Sequence, residues 1–173
     1  MQKRIGIGTR AALVAGLALC TLAACATLQQ LIQPLRFSSA TGRQAELRLL
    51  GPSTGRPLGG LGVRLWARVE NPNPMGVNLT RITGNLFLSD IQAGTVDLPF
   101  GLPLPAQGDT TFPVDVSISF SDIPGLAGLF TRAISGASIP YRLDGRFGVG
   151  AGALGNFDFG PQTLLTGSAT VFR

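Results

Sequence analysis

Residues 61–79 read LGVRLWARVENPNPMGVNL, and the first ten of them decide the architecture. Leu61, Val63, Leu65, Ala67 and Val69 alternate with Arg64, Arg68 and Glu70, the period of a strand with one face in a core and the other in solvent. Trp66 falls on the charged face, where stacking on Arg64 and Arg68 or cover by a loop is expected. Asn71-Pro72-Asn73-Pro74 then ends the strand. Proline fixes φ and gives no ladder donor, and asparagine side chains bond their own backbone in turns.

Working outward, the same period recurs. Gln44 to Leu50 reads as a strand, and residues 51–60, rich in glycine and proline, as a turn. Residues 79–89 and 91–98 read as a hairpin closed by Ser89-Asp90. Pro99, Pro103 and Pro105 predict a loop or an edge crossing, in which Phe100, Leu102 and Leu104 are candidate exposed anchors of a binding loop. Phe112, Val114, Val116, Ile118 and Phe120 form the cleanest alternation in the chain, and Pro113 places its start at an edge.

A helix is expected after Ser121 or Asp122 as cap, with Pro124 in its first turn and Gly136 as its stop. Its apolar stripe is Ile123, Leu126, Leu129, Phe130 and Ile134. Tyr141, Leu143, Phe147 and Val149 share the inner face of another strand, and a last one runs from about Gln162 to Phe172. Six to eight strands with one short helix predict an all-β chain, an antiparallel β-sandwich, because each one-sided greasy sheet needs another to cover it.

The first residues carry Lys3, Arg4 and Arg10 ahead of an apolar run from Ala11 to Leu22, the order of charge and hydrophobicity found in a secretory signal peptide. Leu22-Ala23-Ala24-Cys25 follows and resembles a lipobox, with small residues before the cysteine; bulky Leu19 disqualifies Cys20. The expected organisation is a lipoprotein signal peptide at 1–24, a lipidated N-terminus and tether at 25–35 and a single β-sandwich domain at 36–173. Leu28, Leu31, Ile32 and Leu35 fall at helical spacing within the connector, which Pro34 keeps short. With the leader gone, Cys25 is the one cysteine left, so the domain has to be stable without a disulfide.

Composition removes several functions. Three of the 14 basic residues lie in the leader; the 11 that remain are all arginine against 9 acids, a side-chain charge of about +2. The arginines are scattered, which leaves no stripe to track phosphates, so nucleic acid is not an expected partner. There is no histidine, hence no histidine-based triad and no zinc site of the usual kind. No metal, cofactor or catalytic residue is expected, and the acids fall on outward faces or in turns. Gly150-Ala151-Gly152-Ala153-Leu154-Gly155 has dinucleotide-binding spacing, but the residues after it read as loop or bulged strand rather than the helix a pyrophosphate needs.

Glu70-Asn71-Pro72-Asn73-Pro74, at the end of an alternating strand and ahead of Gly76-Val77-Asn78-Leu79, resembles the signature of the late-embryogenesis-abundant type 2 family, also called the water-stress and hypersensitive-response domain. The Leu79 to Leu88 strand, the Phe112 to Phe120 run, the helix and Tyr141-Arg142-Leu143-Asp144-Gly145 are similar to that family's pattern as well. The resemblance implies a fibronectin type III or immunoglobulin-like sandwich with a helix at one end and a link to desiccation and stress tolerance. It brings no catalytic site. The expected function is therefore a noncatalytic lipoprotein of the bacterial cell envelope, held to a membrane by its lipid anchor and protecting envelope proteins or lipids when water is withdrawn. If the cell has two membranes, Ala26 after the cysteine favours the outer one, facing the periplasm. The alternative is an envelope interaction module that binds an apolar ligand or partner protein.

Overall fold

The computed structural model describes residues 32–171 apart from Pro124. The β domain falls in the compact unit Pro34–Arg173. Its elements are β1 (Arg36–Ser39), β2 (Ala45–Leu50), β3 (Gly60–Glu70), β4 (Val77–Leu88), β5 (Ile91–Leu104), β6 (Asp109–Ser119), the helix α1 (Gly125–Ile134), β7 (Ile139–Gly150) and β8 (Asn156–Val171), with a 3-10 turn at Gly152–Leu154 between the last two.

β3 is the hub because its alternation gives it a long buried face. β6 runs antiparallel along one edge from Gly60↔Ser119 to Glu70↔Asp109. The other edge is shared: β2 covers its first half, from Leu50↔Gly60 to Glu46↔Arg64, and β1 its second, from Ser39↔Ala67 to Arg36↔Glu70. From β2 the sheet continues through β8, β7 and β4 to β5. The two ends of that order then meet through side chains. Phe100 of β5 lies edge-on to Phe112 of β6 with ring centroids 5.1 Å apart, and Gly94 leaves room for Ile118 and Val116. The sheet thus closes over its own greasy face in a sandwich-like arrangement with one short helix.

The inner face is the one the period predicts. Leu61, Val63, Leu65, Ala67 and Val69 are all buried, as are Val114, Val116 and Ile118, and Leu143, Phe147 and Val149. Burying each of the larger side chains contributes roughly 1.5–3 kcal/mol. The Ser89-Asp90 turn has φ of 47° and 65°, the left-handed pair that matches the twist of a two-residue hairpin.

Three expectations are corrected. The sheet is mixed rather than wholly antiparallel, because Ala45, Glu46 and Leu47 of β2 pair in parallel with Ala169, Thr170 and Val171 of β8. Of the stretch expected as a loop or an edge crossing, residues 99–104 continue β5 at the sheet's edge: Pro99 and Pro103 lie opposite Arg81 and Asn78. Proline is tolerated there because β5 ends the sheet order and pairs on one edge alone. In α1 the buried stripe is Leu126, Leu129, Phe130 and Ala133, while Ile134 is half exposed at the last turn.

Of the connector, Cys25 to Leu31 lie outside the described residues, as does Pro124; Leu35 is buried.

Candidate functional site

β3 and β4 are joined by the Asn-Pro-Asn-Pro-Met-Gly turn at 71–76, and β5 and β6 by Pro105 to Gly108. A knot of hydrogen bonds around Asn71 ties the two together. Its Nδ2 donates to the carbonyls of Met75 at 2.8 Å and Pro105 at 2.9 Å, with Leu104 O farther off at 3.5 Å. Its Oδ1 accepts from Asn73 N at 3.0 Å and from Asn73 Nδ2 at 2.9 Å. Main-chain bonds from Asn71 N to Gly108 O and from Gln107 N to Asn73 O complete the closure.

Both asparagines are fully buried. An amide side chain offers two donors and one two-lone-pair acceptor, and Asn71 uses all of them. Turning the amide over would set its N–H groups against the donors of Asn73. An aspartate would have no donor for the two carbonyls, and glutamine would carry the amide one methylene too far. Pro72 and Pro74 hold the backbone between and after the asparagines in the fixed φ the turn needs. Among the described residues no buried side-chain nitrogen or oxygen lacks a partner.

A cleft of about 460 Å³ opens on the outside of the sheet between Gly42, Arg43, Gln44, Glu46, Trp66, Thr170 and Val171. The Arg43 guanidinium lies 4.1 Å over the Trp66 ring. Arg64 and Arg68, the sequence neighbours expected to stack there, instead bond acids across the β3–β6 ladder. Arg64 makes a two-pronged contact with Asp115, at 2.7 and 3.1 Å, and Arg68 bonds Asp109 at 2.9 Å. Only the register could reveal the difference, since it brings opposite charges face to face on adjacent strands. Arg43 comes from the β1–β2 loop, 23 residues from Trp66, and nothing local marks it. Because Trp66 is the chain's single tryptophan, Arg43→Ala is expected to shift its emission to longer wavelength and raise its quenching by iodide. Unchanged emission would mean that the stack does not cover the ring in solution.

Elsewhere on the outer faces Arg81 bonds Asp97, Arg142 bonds Asp144 and approaches Asp90, Arg48 bonds Glu46 and Arg36 faces Glu70. Seven of the nine acids therefore lie within ion-pair distance of arginines. Among the described residues no three His, Cys, Asp or Glu side chains gather as a metal site would require.

The hydrogen bonds from Arg81 and Arg68 hold the Asp97 and Asp109 carboxyls below their ordinary value near 3.8; Thr163, then Arg142, does so for Asp144. A carboxyl lowered by folding adds stability that is whole above its unfolded value and is lost as pH falls toward the folded one. Asp109→Asn is therefore expected to lower stability slightly at neutral pH, less so in high salt, with the difference from wild type vanishing in acid unfolding at a pH low enough to protonate the folded carboxyl. A difference that persists at that pH would show that the ion pair is not its source.

The residues singled out in the sequence fall in different places. Asn71, Pro72 and Asn73 meet in the knot. Leu22, Ala23, Ala24 and Cys25 lie outside the described residues. Phe100, Leu102 and Leu104 do not form an exposed loop: they are on β5, Leu104 is buried, Leu102 is half-buried and Phe100 is half-buried against Phe112.

Among solved structures, the chain is similar to a solution structure of an Arabidopsis thaliana protein, at 19% identity and a TM-score of 0.54 over 81% of this chain and 85% of that one. It is also similar to a solution structure of a late embryogenesis abundant protein, at 15% identity and a TM-score of 0.48 over 95% and 87%. A crystal structure of a protein from Archaeoglobus fulgidus matches at 10% identity and a TM-score of 0.41 over 69% and 97%. No curated protein matches the chain. The family model described as late embryogenesis abundant protein matches residues 67–162, more than half of the 173, from the end of β3 through the knot and α1 into β8. The chain belongs to the late embryogenesis abundant protein family, and is a water-stress protein of that type.

Proposed function

We propose that the protein is a lipid-anchored, noncatalytic guardian of the bacterial cell envelope, whose folded domain shields neighbouring proteins or lipids as water is withdrawn. The observation that carries this reading is the family match, which spans the folded sandwich from β3 to β8. Protection then belongs to a shaped surface, since a chain that is 45% apolar with mean hydropathy +0.31 differs from the charged sequences that act while disordered. Recovery of a dried test enzyme should be high beside the folded protein and fall to that of an inert protein beside a heat-denatured sample. Equal protection by both would remove the idea.

The anchor is supported by Leu22-Ala23-Ala24-Cys25 behind its apolar run. Each buried methylene contributes about 0.8 kcal/mol, and a single chain holds only marginally, so a cysteine with more than one acyl chain is stably anchored in a bilayer. Metabolic palmitate should label the wild type, which should fractionate with membranes, and Cys25→Ala should show neither property. A labelled Cys25→Ala protein would refute this assignment. In a cell with two membranes Ala26 directs the protein to the outer one, facing the periplasm.

The second reading, an interaction module for an apolar ligand gripped by Phe100, Leu102 and Leu104, requires β5 to leave the sheet, because Leu104 is 1% exposed.

A further inference from the structure

The domain has two unlike ends. At one, Arg36 opens β1 opposite Glu70, so the chain enters the fold beside Asn71. The 71–76 turn is bonded there to the 105–108 turn, and Asn78↔Gly150 at the start of β4 brings in the 151–155 turn between β7 and β8. These turns read Asn-Pro-Asn-Pro-Met-Gly, Pro-Ala-Gln-Gly and Ala-Gly-Ala-Leu-Gly, without one charged residue. Pro74, Ala106 and Ala153 are exposed at their tips, and so are Met75 and Leu154, each 39% exposed. At the other end the connections carry Arg56, Asp90, Asp122 and Arg132.

We propose that the charge-free end is a seating surface for the bilayer, with Met75 and Leu154 as its apolar tips. The inference rests on the lipid-anchor reading of Cys25. Arg36 is eleven positions along the chain from Cys25, a span of at most about 35–40 Å when fully extended. That is about the length of β3, so presenting the opposite end would use up the whole tether running back along the sandwich.

Three physical effects favour the arrangement. An uncharged rim meets the headgroup layer without stripping water from an unpaired ion. Of the charges nearest this end, Arg36 is matched by Glu70 and Arg68 by Asp109, and Asp158, three residues past the 151–155 turn, is an exposed acid open to water. The anchor makes seating an intramolecular event at high effective concentration, so two modest apolar tips suffice where they could never recruit a free protein. The Asn71 knot fixes two of the three turns beforehand, which spares the ordering cost on contact.

The test uses the lipidated full chain on vesicles of phosphatidylethanolamine and phosphatidylglycerol, as Leu154→Cys or Leu58→Cys. Each carries an environment-sensitive dye on the new thiol, and the membrane carries a lipid-borne quencher. Leu58 is 70% exposed in the β2–β3 turn at the far end, so neither substitution disturbs the core. The dye at 154 should be quenched severalfold more than the dye at 58. Equal quenching, or stronger quenching at 58, overturns the proposal. So does a dye at 154 shielded from iodide but untouched by the lipid quencher, which would mean that a protein covers this end. Palmitate labelling and flotation of the same samples separate the two readings. If both are absent, the anchor falls and this inference with it; if both are present with equal quenching, this inference alone falls.

Discussion

Asn71→Leu is expected to lower the unfolding free energy by about 4 kcal/mol, the largest loss available from one polar side chain in this domain. Leucine has asparagine's branching and a larger volume, so the cost is not a cavity. It comes from the groups left behind: the carbonyls of Met75 and Pro105 lose their donor, and the N–H and Nδ2 of Asn73 lose their acceptor. A buried polar group stripped of its partner costs about 1–3 kcal/mol, and relaxation of the two turns toward water recovers part of the sum. Urea unfolding of the Cys25→Ala chain reads the difference directly; a loss below about 1 kcal/mol would show that the knot is solvated and the closure held by main-chain bonds alone.

Asn71→Asp sharpens the argument because it keeps the shape and the acceptor. Its carboxylate would be buried against two carbonyl oxygens, so its folded pKa must rise above the ordinary carboxylate range. For an acid raised by folding, the penalty is greatest where the group is ionised, above the folded value, and is relieved as pH falls through it. The protonated acid then donates to one of the two carbonyls. The Asn71→Asp protein should therefore gain stability relative to wild type as pH is lowered. Asp109→Asn also closes its gap to wild type in acid, but by the opposite route: there it is the wild type that loses an ion pair, whereas here the variant sheds a buried charge.

The contrast between these two residues shows which layer of the fold was legible in the sequence. The alternation over 61–70 and 112–118 placed the inward side chains on the right face, because period two is a local property that the pleat enforces. Asn71 was legible as a turn-former for the same reason, since its bond to the Asn73 backbone is two residues long. Its bonds to Pro105 and the closure onto Gly108 were not, because they depend on which hairpin folds beside which. The parallel contact of β2 with β8 was hidden likewise, with more than a hundred residues between its strands and three pairs in register.

Proline misled in an instructive way. Pro99 and Pro103 do lack ladder donors, and the conclusion that 99–105 leaves the sheet would follow had β5 been central. At an edge every second backbone group looks away from the partner, so a proline there forfeits nothing. With the strand continued, Phe100, Leu102 and Leu104 turn inward, and a candidate binding loop becomes the rim of a core. Cover of Trp66 by a loop was one of the two expectations, but that Arg43 supplies it was not legible, because a contact between a loop and a distant strand has no periodicity of its own.

Gly145→Val is expected to cost about 3 kcal/mol or more, for a reason that composition conceals. Gly84 on β4 and Gly145 on β7 are direct partners across the ladder, and Gly160 on β8 approaches the same point with φ of +108°. A Cβ built on Gly145 would lie 2.2 Å from the Thr83 carbonyl oxygen, and one on Gly84 2.2 Å from that of Asp144. Both neighbours are main chain, so no side chain can swing aside. The β7–β8 register also slips between Gly145 and Phe147, which marks the row as the place where three strands bend together. Valine there must push β4 from β7 and drag at Leu143 and Phe147, whose burial depends on the bend; overpacking alone costs about 1–3 kcal/mol and the broken ladder adds to it. Gly145→Ala should show the smaller part of the same loss, and Gly101→Ala, in open space on β5, close to none. If valine at 145 were tolerated as well as alanine at 101, β4 and β7 would not approach as closely as the structure has them, and the bend that lets one sheet close over its own core would need another cause.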